Sequence, residues 1–317
     1  MTFAAIMAVG FAADLVLGWP AAICRRIGHP VIWIGALIAL LERRLNHGGR
    51  WRRRLAGAGT ALLVIACASL PAAIAQSLLP GGAGAVLIGG LLAWPLLATR
   101  SMHDHIRAVR DPLLQGRTGA ARAAVAMIVG RRTESLDDGA IARAALESLA
   151  ENSSDGIVAP LFWGLLAGLP GIAAYKAINT MDSMIGHRTP RHRDFGAFAA
   201  RLDDLVNLVP ARLTALVFVL AAGRRWRHAW LAAARDARLH RSPNAGWPEA
   251  AMAGALDLRL SGPRDYGGGQ SDDPWLNVSG QDARPSDLAQ GLALFRRAMA
   301  MIGLALVLAA ALQALIR

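Results

Sequence analysis

Apolar residues in this chain gather into windows of nearly bilayer length, separated by arginine clusters. Residues 2–19 are apolar apart from Asp14, residues 55–79 and 83–99 are uncharged and joined by Pro80-Gly81-Gly82, and residues 298–316 form a last, nearly uncharged run. A hydrocarbon core is crossed by about 20 helical residues, so each of these four windows is predicted to be a transmembrane helix. Residues 2–19 lack a small-residue cleavage site and read as a retained anchor rather than a signal peptide. Arg52, Arg53 and Arg54 precede the 55–79 window and Arg100, Arg107 and Arg110 follow the 83–99 window, while the turn between them is chargeless. The positive-inside rule therefore places the arm ends in the cytoplasm and the turn outside. Arg25 and Arg26, with Arg296 and Arg297, likewise place both chain ends outside.

Three further windows, 31–41, 157–179 and 205–222, are predicted to be re-entrant or partly buried rather than simple spans. Residues 31–41 are short and lie between arginine clusters. Residues 157–179 carry Pro160, a Gly168-Leu169-Pro170-Gly171 break and Lys176. Polar sequence flanks that window on both sides, and a helical hairpin that enters and returns keeps those flanks together. Broken backbone at membrane depth is tolerated where protein or a cavity shields it. The expected fold is a single all-α integral membrane domain over 1–317, with several transmembrane helices and a re-entrant helical hairpin. Cytoplasmic catalytic segments are expected at 100–156 and 176–212, and a soluble loop region rich in Gly and Pro at 224–296.

Composition agrees with that picture. Hydrophobic residues make up 54% of the 317 residues but aromatics only 6%, and mean hydropathy is +0.36. Ala, Leu, Val, Ile and Gly carry the apolarity, which suits close helix packing. The formal charge is +12, and all but one of the 34 basic residues are Arg, the exception being Lys176. Basic patches interleaved with stacking aromatics are absent, which argues against a nucleic-acid partner. Cys24 and Cys67 lie far apart in apolar context and supply neither a disulfide framework nor a metal motif.

The candidate chemistry concentrates between 134 and 204, where ten of the 22 acidic residues fall: Glu134, Asp137, Asp138, Glu147, Glu151, Asp155, Asp182, Asp194, Asp203 and Asp204. Over 138–155 a helical period puts Arg143, Glu147 and Glu151 on one face, with Asp155 a turn further. The alternative is a solvated stripe with an Arg143–Glu147 pair. Around Lys176, one helical face carries Lys176, Asn179, Asp182 and Ser183, and the other Ile178, Met181 and Ile185. Charged and amide side chains beside a membrane-depth segment are costly unless they serve a site. Asp203, Asp204 and Asn207 offer oxygen ligands of the kind Mg²⁺ takes together with substrate phosphates. A helix N-terminus complemented by acidic residues is the competing reading. Arg188, Arg191, His192 and Arg193 form a short basic loop that either holds phosphate or marks the cytoplasmic side. His29, His103 and His105 lack ligand spacing and read as structural. Walker A, GxGxxG, nucleophile-elbow and HExxH motifs are absent.

Longer motifs carry a resemblance. Glu147-Ser-Leu-Ala-Glu151-Asn152-Ser-Ser-Asp155-Gly156, Ala159-Pro160-Leu-Phe-Trp163, Tyr175-Lys176 through Asn179-Thr-Met-Asp182-Ser183 and Arg193-Asp194-Phe195-Gly196 form its first half. Arg201-Leu-Asp203-Asp204, Pro210-Ala-Arg212-Leu-Thr214, Ser242-Pro-Asn244-Ala-Gly-Trp-Pro-Glu249 and Tyr266-Gly267 continue it, and Asp14, Gly18, Pro20 and His29-Pro30-Val31 fit upstream. Across essentially the whole chain the sequence resembles the CobD/CbiB family of cobalamin biosynthesis. Trp19 and Arg132 stand where that pattern expects Asp.

The resemblance implies adenosylcobinamide-phosphate synthase activity at the cell membrane, with the active site facing the cytoplasm. The reaction joins aminopropanol, or its O-phosphate, to the free carboxylate of adenosylcobyric acid, consuming ATP with Mg²⁺. On that expectation Asp182, Asp203 and Asp204 bind metal, and Lys176, Arg201, Arg212 and Asn244 contact phosphate or cosubstrate. Glu151 is the expected general base, with Glu147 and Asn152 positioning it and Asp155 and Asn179 completing the catalytic set. The stretches 147–155, 176–183 and 201–212 are then expected to meet on one side of the lipid. Other late enzymes of the pathway are possible partners. Two other classes stay open: a Mg²⁺-dependent membrane phosphotransferase or prenyltransferase, and a corrinoid-binding scaffold or transporter.

Overall fold

A computed structural model describes residues 3–130, 132–265 and 270–315. Its helices, in chain order, are α1 Phe3–Leu17, α2 Ala21–Ile27, α3 Pro30–Leu45, α4 Arg50–Ser77, α5 Gly82–Ala93, α6 Thr99–Leu114 and α7 Thr118–Ala126. They continue with α8 Asp138–Ser153, α9 Ala159–Ile185, α10 Ala197–Val206, α11 Leu208–Ala221, α12 Trp226–Asp236 and α13 Gly246–Leu256. Four two-residue strands, β1 Leu260–Ser261, β2 Arg264–Asp265, β3 Gln270–Ser271 and β4 Trp275–Leu276, precede α14 Asp287–Leu315. β1 pairs antiparallel with β4, and β2 with β3.

Among the described residues, five helical stretches are long and apolar enough to cross a bilayer: Ala22–Leu45, Arg50–Ser77, Gly82–Leu114, Asp138–Ile185 and Asp287–Leu315. A sixth is added if α10 and α11 count as one bent span, and α1 is apolar but shorter. The protein is thus an all-α, multi-pass membrane protein, as the hydropathy pattern predicts. Residues 31–41 extend into α3, which with α2 makes a stretch of spanning length.

The described residues divide into two compact units. The first comprises Met1–Ala98, Ala159–Asn207 and Ala305–Arg317; the second comprises Thr99–Val158 and Leu208–Leu304. In the first, Ile38 of α3, Ala61 and Val64 of α4, and Ala177, Ile178, Met181 and Ile185 of α9 form a buried core with Phe195 and Ala199. The apolar face of α9 is thereby spent on packing, and its polar face is presented away from that core.

The expected break in α9 is present. Gly168 has φ 67° and ψ −146°, outside the helical region and in territory that suits glycine. Just beyond it, the Cα of Gly171 lies so near the Trp163 carbonyl that a Cβ there would clash. Eight residues of straight helix would separate the two positions by about 12 Å, so the chain folds back at this point. The break exposes the first N–H of the second arm, and Gln76 of α4 answers it: Leu169 N donates to Gln76 Oε1 at 2.8 Å. A backbone donor freed at membrane depth thus finds its partner inside the protein.

The second unit centres on α13, whose Ala250, Ala251, Met252 and Ala253 are fully buried. Gly254 lets α13 approach the α12 backbone at His228 and Ala229 closely. On α8, Ile141, Ala142, Ala145, Leu146, Leu149 and Ala150 are buried on nearly every side. This unit corrects the expectation of loops over 224–296, since α12, α13 and the start of α14 occupy much of that stretch. Alanine supplies helix propensity and close packing there without the bulky apolar residues that mark a helix by eye. Asp236 at the end of α12 is buried, accepts from Asn277 N at 2.7 Å and pairs with Arg235 at 2.6 Å. Burial alone raises its carboxyl, but the Arg235 guanidinium and the Asn277 amide hold it below the ordinary carboxylate range.

Gly168→Ala places a side chain against Gln76 and forces a left-handed φ on a residue with a Cβ. A strained backbone position of this kind costs about 1–3 kcal/mol. The detergent-solubilised variant should unfold at a lower temperature than the wild type, read by intrinsic fluorescence; an unchanged midpoint would show that the break is not held as described.

Candidate active site

In the first unit, three elements gather the polar residues expected between 176 and 207. Tyr175 on α9 is buried and donates its hydroxyl to Asn207 Oδ1 at 2.9 Å; Asn207 Nδ2 in turn donates to Asp203 Oδ2 at 3.0 Å. Asn179 and Asp182 of α9 lie beside Asp203, and Asp204 is within its electrostatic reach. Asp203 Oδ1 is buried, and among the described residues no well-formed hydrogen bond reaches it. His187 stands near Asp182 and Arg188 near Asp204, so basic side chains border the carboxylates. Lys176 is half-buried on the same helix and within electrostatic reach of His29. Arg201 is on the exposed side of α10.

The connection from α9 to α10 fixes this arrangement. Gly196 sits against the Ile185 carbonyl, where any Cβ would clash, which closes the 186–196 loop onto the end of α9. The basic loop is partly structural. Arg191 makes a two-pronged pair with buried Glu42, through Nε at 2.8 Å and Nη2 at 2.6 Å, and His192 lies 3.5 Å from the same carboxylate. Arg50 and Arg54 of α4 pair with Asp194 at 3.4 and 3.2 Å. Fork-on-carboxylate geometry of this kind fixes orientation as well as charge. Arg191 is therefore committed to holding the loop on α3. His29 is likewise structural: it caps α3, its Nδ1 accepting from Val31 N at 3.2 Å.

In the second unit the predicted residues fall into two places. Glu147 is buried and accepts from Ser261 N at 2.8 Å, with Arg143 Nε 3.8 Å away. Ser261 has φ 63°, an unusual conformation for a residue with a side chain. Glu147 thus ties α8 to the β1–β4 pair, and its partner lies 114 residues away in sequence. Arg143 stacks on Trp275 at 4.8 Å, and Arg259 lies 4.4 Å from the same ring. Glu151 is exposed, and Asn152 donates to Ser148 O at 2.9 Å. Asp155 is half-buried in the π-turn Ser154–Val158 that follows α8, a local distortion often found at functional sites.

Elsewhere in that unit the structure unites Arg212 and Asn244. Arg212 Nη1 donates to Asn244 Oδ1 at 2.9 Å, Nη2 reaches Pro243 O at 3.2 Å, and the guanidinium stacks on Trp247 at 4.8 Å. Arg212 and Trp247 border an apolar cavity of about 760 Å³ with Leu213, Leu216 and Trp230. Sequence reasoning named Arg212 and Asn244 separately; Trp247 fell within a quoted motif without a site role and Trp230 escaped notice, since the cavity is built by packing. The Tyr266-Gly267 match and the run Gly267-Gly268-Gly269 lie outside the described residues. Among the described residues, no three His, Cys, Asp or Glu side chains form a metal-binding group by themselves.

These features define a helical membrane protein with a partly buried carboxylate–amide cluster and an arginine-bordered apolar cavity. The family model described as CobD/Cbib protein matches residues 7–295. A cobalamin biosynthesis protein CobD of Rhodobacter capsulatus is 62% identical over 312 residues, covering 98% of this chain and 99% of that protein. Proteins of the same name from Brucella suis and Sinorhizobium fredii are 46% and 43% identical, covering 98% and 92% of this chain and 97% and 92% of their own lengths. No solved structure matches. The chain belongs to the CobD/CbiB family, and its role lies in cobalamin biosynthesis.

Glu147→Ala leaves the buried Ser261 N–H without an acceptor, at a cost of about 1–3 kcal/mol. Glu147→Gln keeps an oxygen in place. Thermal unfolding should therefore drop clearly for the first and much less for the second. Equal midpoints for both variants and the wild type would deny Glu147 this structural duty.

Proposed function

We propose that the protein is an ATP-dependent amide-forming ligase that joins aminopropanol, or its O-phosphate, to the free carboxylate of adenosylcobyric acid. The observation that carries this reading is the Asp182–Asp203–Asp204 cluster, in which the buried Oδ1 of Asp203 receives no well-formed hydrogen bond among the described residues, with only the Asn179 amide beside it. A buried carboxylate oxygen without a donor is costly, and three carboxylates within reach of one another repel. Oxygen-only donors of this type fit Mg²⁺, which keeps water and substrate phosphates in its remaining positions, so a closed set of three protein ligands is not required. Asp182, Asp203 and Asp204 are the proposed holders, with Asn179 and Asn207 beside them. Bound there, Mg²⁺ would neutralise phosphate charge.

A carboxylate is a poor acyl donor, so activation by ATP is the expected first step. The γ-phosphoryl group passes to the corrinoid carboxylate, giving an acyl phosphate and ADP. The amine nitrogen then attacks the acyl carbon; the C–N bond forms, the acyl C–O bond breaks and phosphate leaves. Catalysis of phosphoryl transfer consists mostly of positioning and charge stabilisation. Lys176 and Arg188 supply positive charge in the first unit, and Arg212, held by Asn244, supplies it in the second. Arg201, exposed on α10, is a further phosphate contact. Glu151 is the proposed base for the amine proton, with Asn152 and Asp155 supporting it on the same stretch. Glu147, engaged by Ser261, acts through the fold. The arginine clusters flanking the spans favour a cytoplasmic site, where ATP is available.

The test is Asp203→Asn, an isosteric change that removes one negative charge. Purified protein is incubated with adenosylcobyric acid, the amine, ATP and Mg²⁺, and products are identified by mass. Product should fall below detection while the variant inserts and unfolds like the wild type; normal turnover would remove Asp203 from the site.

A further inference from the structure

The second unit carries a cationic pocket that the ligase reading does not use. It has a volume of about 720 Å³ and is lined by Arg225, Arg296, Arg297 and Gln290 over a floor of small residues such as Ala222 and Ala255. Three of its lining residues are arginines. Asp257 lies 3.6 Å from Arg225, with both groups largely exposed. Among the described residues, neither Arg296 nor Arg297 forms an ion pair, and both are exposed; Arg297 reaches over Gly223. One carboxylate beside three arginines leaves an excess of positive charge, which an anion would balance.

Placement identifies the anion. Arg225 follows the end of α11 at Ala221, and Arg296 and Arg297 immediately precede the charge-free run of α14 that starts at Ala298. All three arginines therefore sit where an apolar helix meets polar sequence, the level occupied by lipid headgroups. Along the same two helices Leu216, Leu220 and Leu304 are 43%, 56% and 60% exposed, an apolar surface suited to acyl chains. Basic pockets beside transmembrane helices bind anionic headgroups in this way, and guanidinium forks match phosphate oxygens.

We propose that Arg225, Arg296 and Arg297 bind the phosphate headgroup of an anionic membrane phospholipid, with its acyl chains against the leucines of α11 and α14. The site fixes the second unit at the membrane surface and is independent of the ligase reaction.

The test uses the full chain in bilayer discs of phosphatidylcholine containing a minor fraction of phosphatidylglycerol. Lipids retained on release from the disc are counted by native mass spectrometry. The wild type should retain phosphatidylglycerol well above its share of the bilayer. Each arginine near a membrane surface contributes about 1 kcal/mol toward anionic lipid, or about fivefold. Arg296→Gln should therefore lower the enrichment about fivefold, and Arg296→Gln with Arg297→Gln about twenty-five-fold. Changing both to Lys should preserve most of it. If the double Gln variant does not fold, Arg225→Gln gives the same reading. Undiminished enrichment in the Gln variants would overturn the proposal. So would loss of phosphatidylglycerol from the wild type on adding millimolar inorganic phosphate, since that would mark a site for a soluble anion.

Discussion

Polar groups lodged among apolar helices must find their partners inside the protein, because lipid offers none. Much of what this chain does locally follows from that requirement. The break at Gly168 frees a backbone donor, and Gln76 takes it up. Glu42, buried near the end of α3, is answered by the Arg191 fork. Tyr175 and Asn207 form a two-step ladder that ends on Asp203. The ladder stops one oxygen short. Asp203 Oδ1 is one of several buried atoms among the described residues where the local rule is broken, and the one that sits among carboxylates; exceptions to polar satisfaction coincide with function more often than chance.

Several of these features are legible in the sequence. The windows of apolar residues and their arginine borders give a multi-span helical protein without further help. The Gly168-Leu169-Pro170-Gly171 cluster marks a break that the backbone adopts at Gly168. The two-faced character of α9 also holds: Ile178, Met181 and Ile185 are in the core, while Asp182 and Ser183 are not. Each of these signals is local, carried by residues a few positions apart.

What the sequence hides is long-range or featureless. Glu147 looks like a catalytic carboxylate at helical spacing from Glu151, yet its hydrogen bond goes to a backbone amide in a strand far along the chain. Arg191 reads as a phosphate-binding candidate until Glu42 is found opposite it. The α12–α13 core is built from alanines, whose periodicity is hard to see among turn-forming residues, and so the region reads as loops. The cavity beside Arg212 depends on Trp230 and Trp247, which no motif links. In each case the missing information is which partner a side chain meets, and only the folded chain supplies it.

The family relationship names the pathway, and the aspartate cluster is the proposed place for the chemistry. The property proposed for that cluster is an affinity for a divalent cation that depends on Asp203. Mn²⁺, a spectroscopic substitute for Mg²⁺, allows this to be measured without turnover: free Mn²⁺ is followed by electron paramagnetic resonance during titration of the purified protein in the presence of ADP. The wild type should remove Mn²⁺ from solution at a saturable site, and folded Asp203→Asn should lose that site. Equal binding by the two proteins would contradict the account.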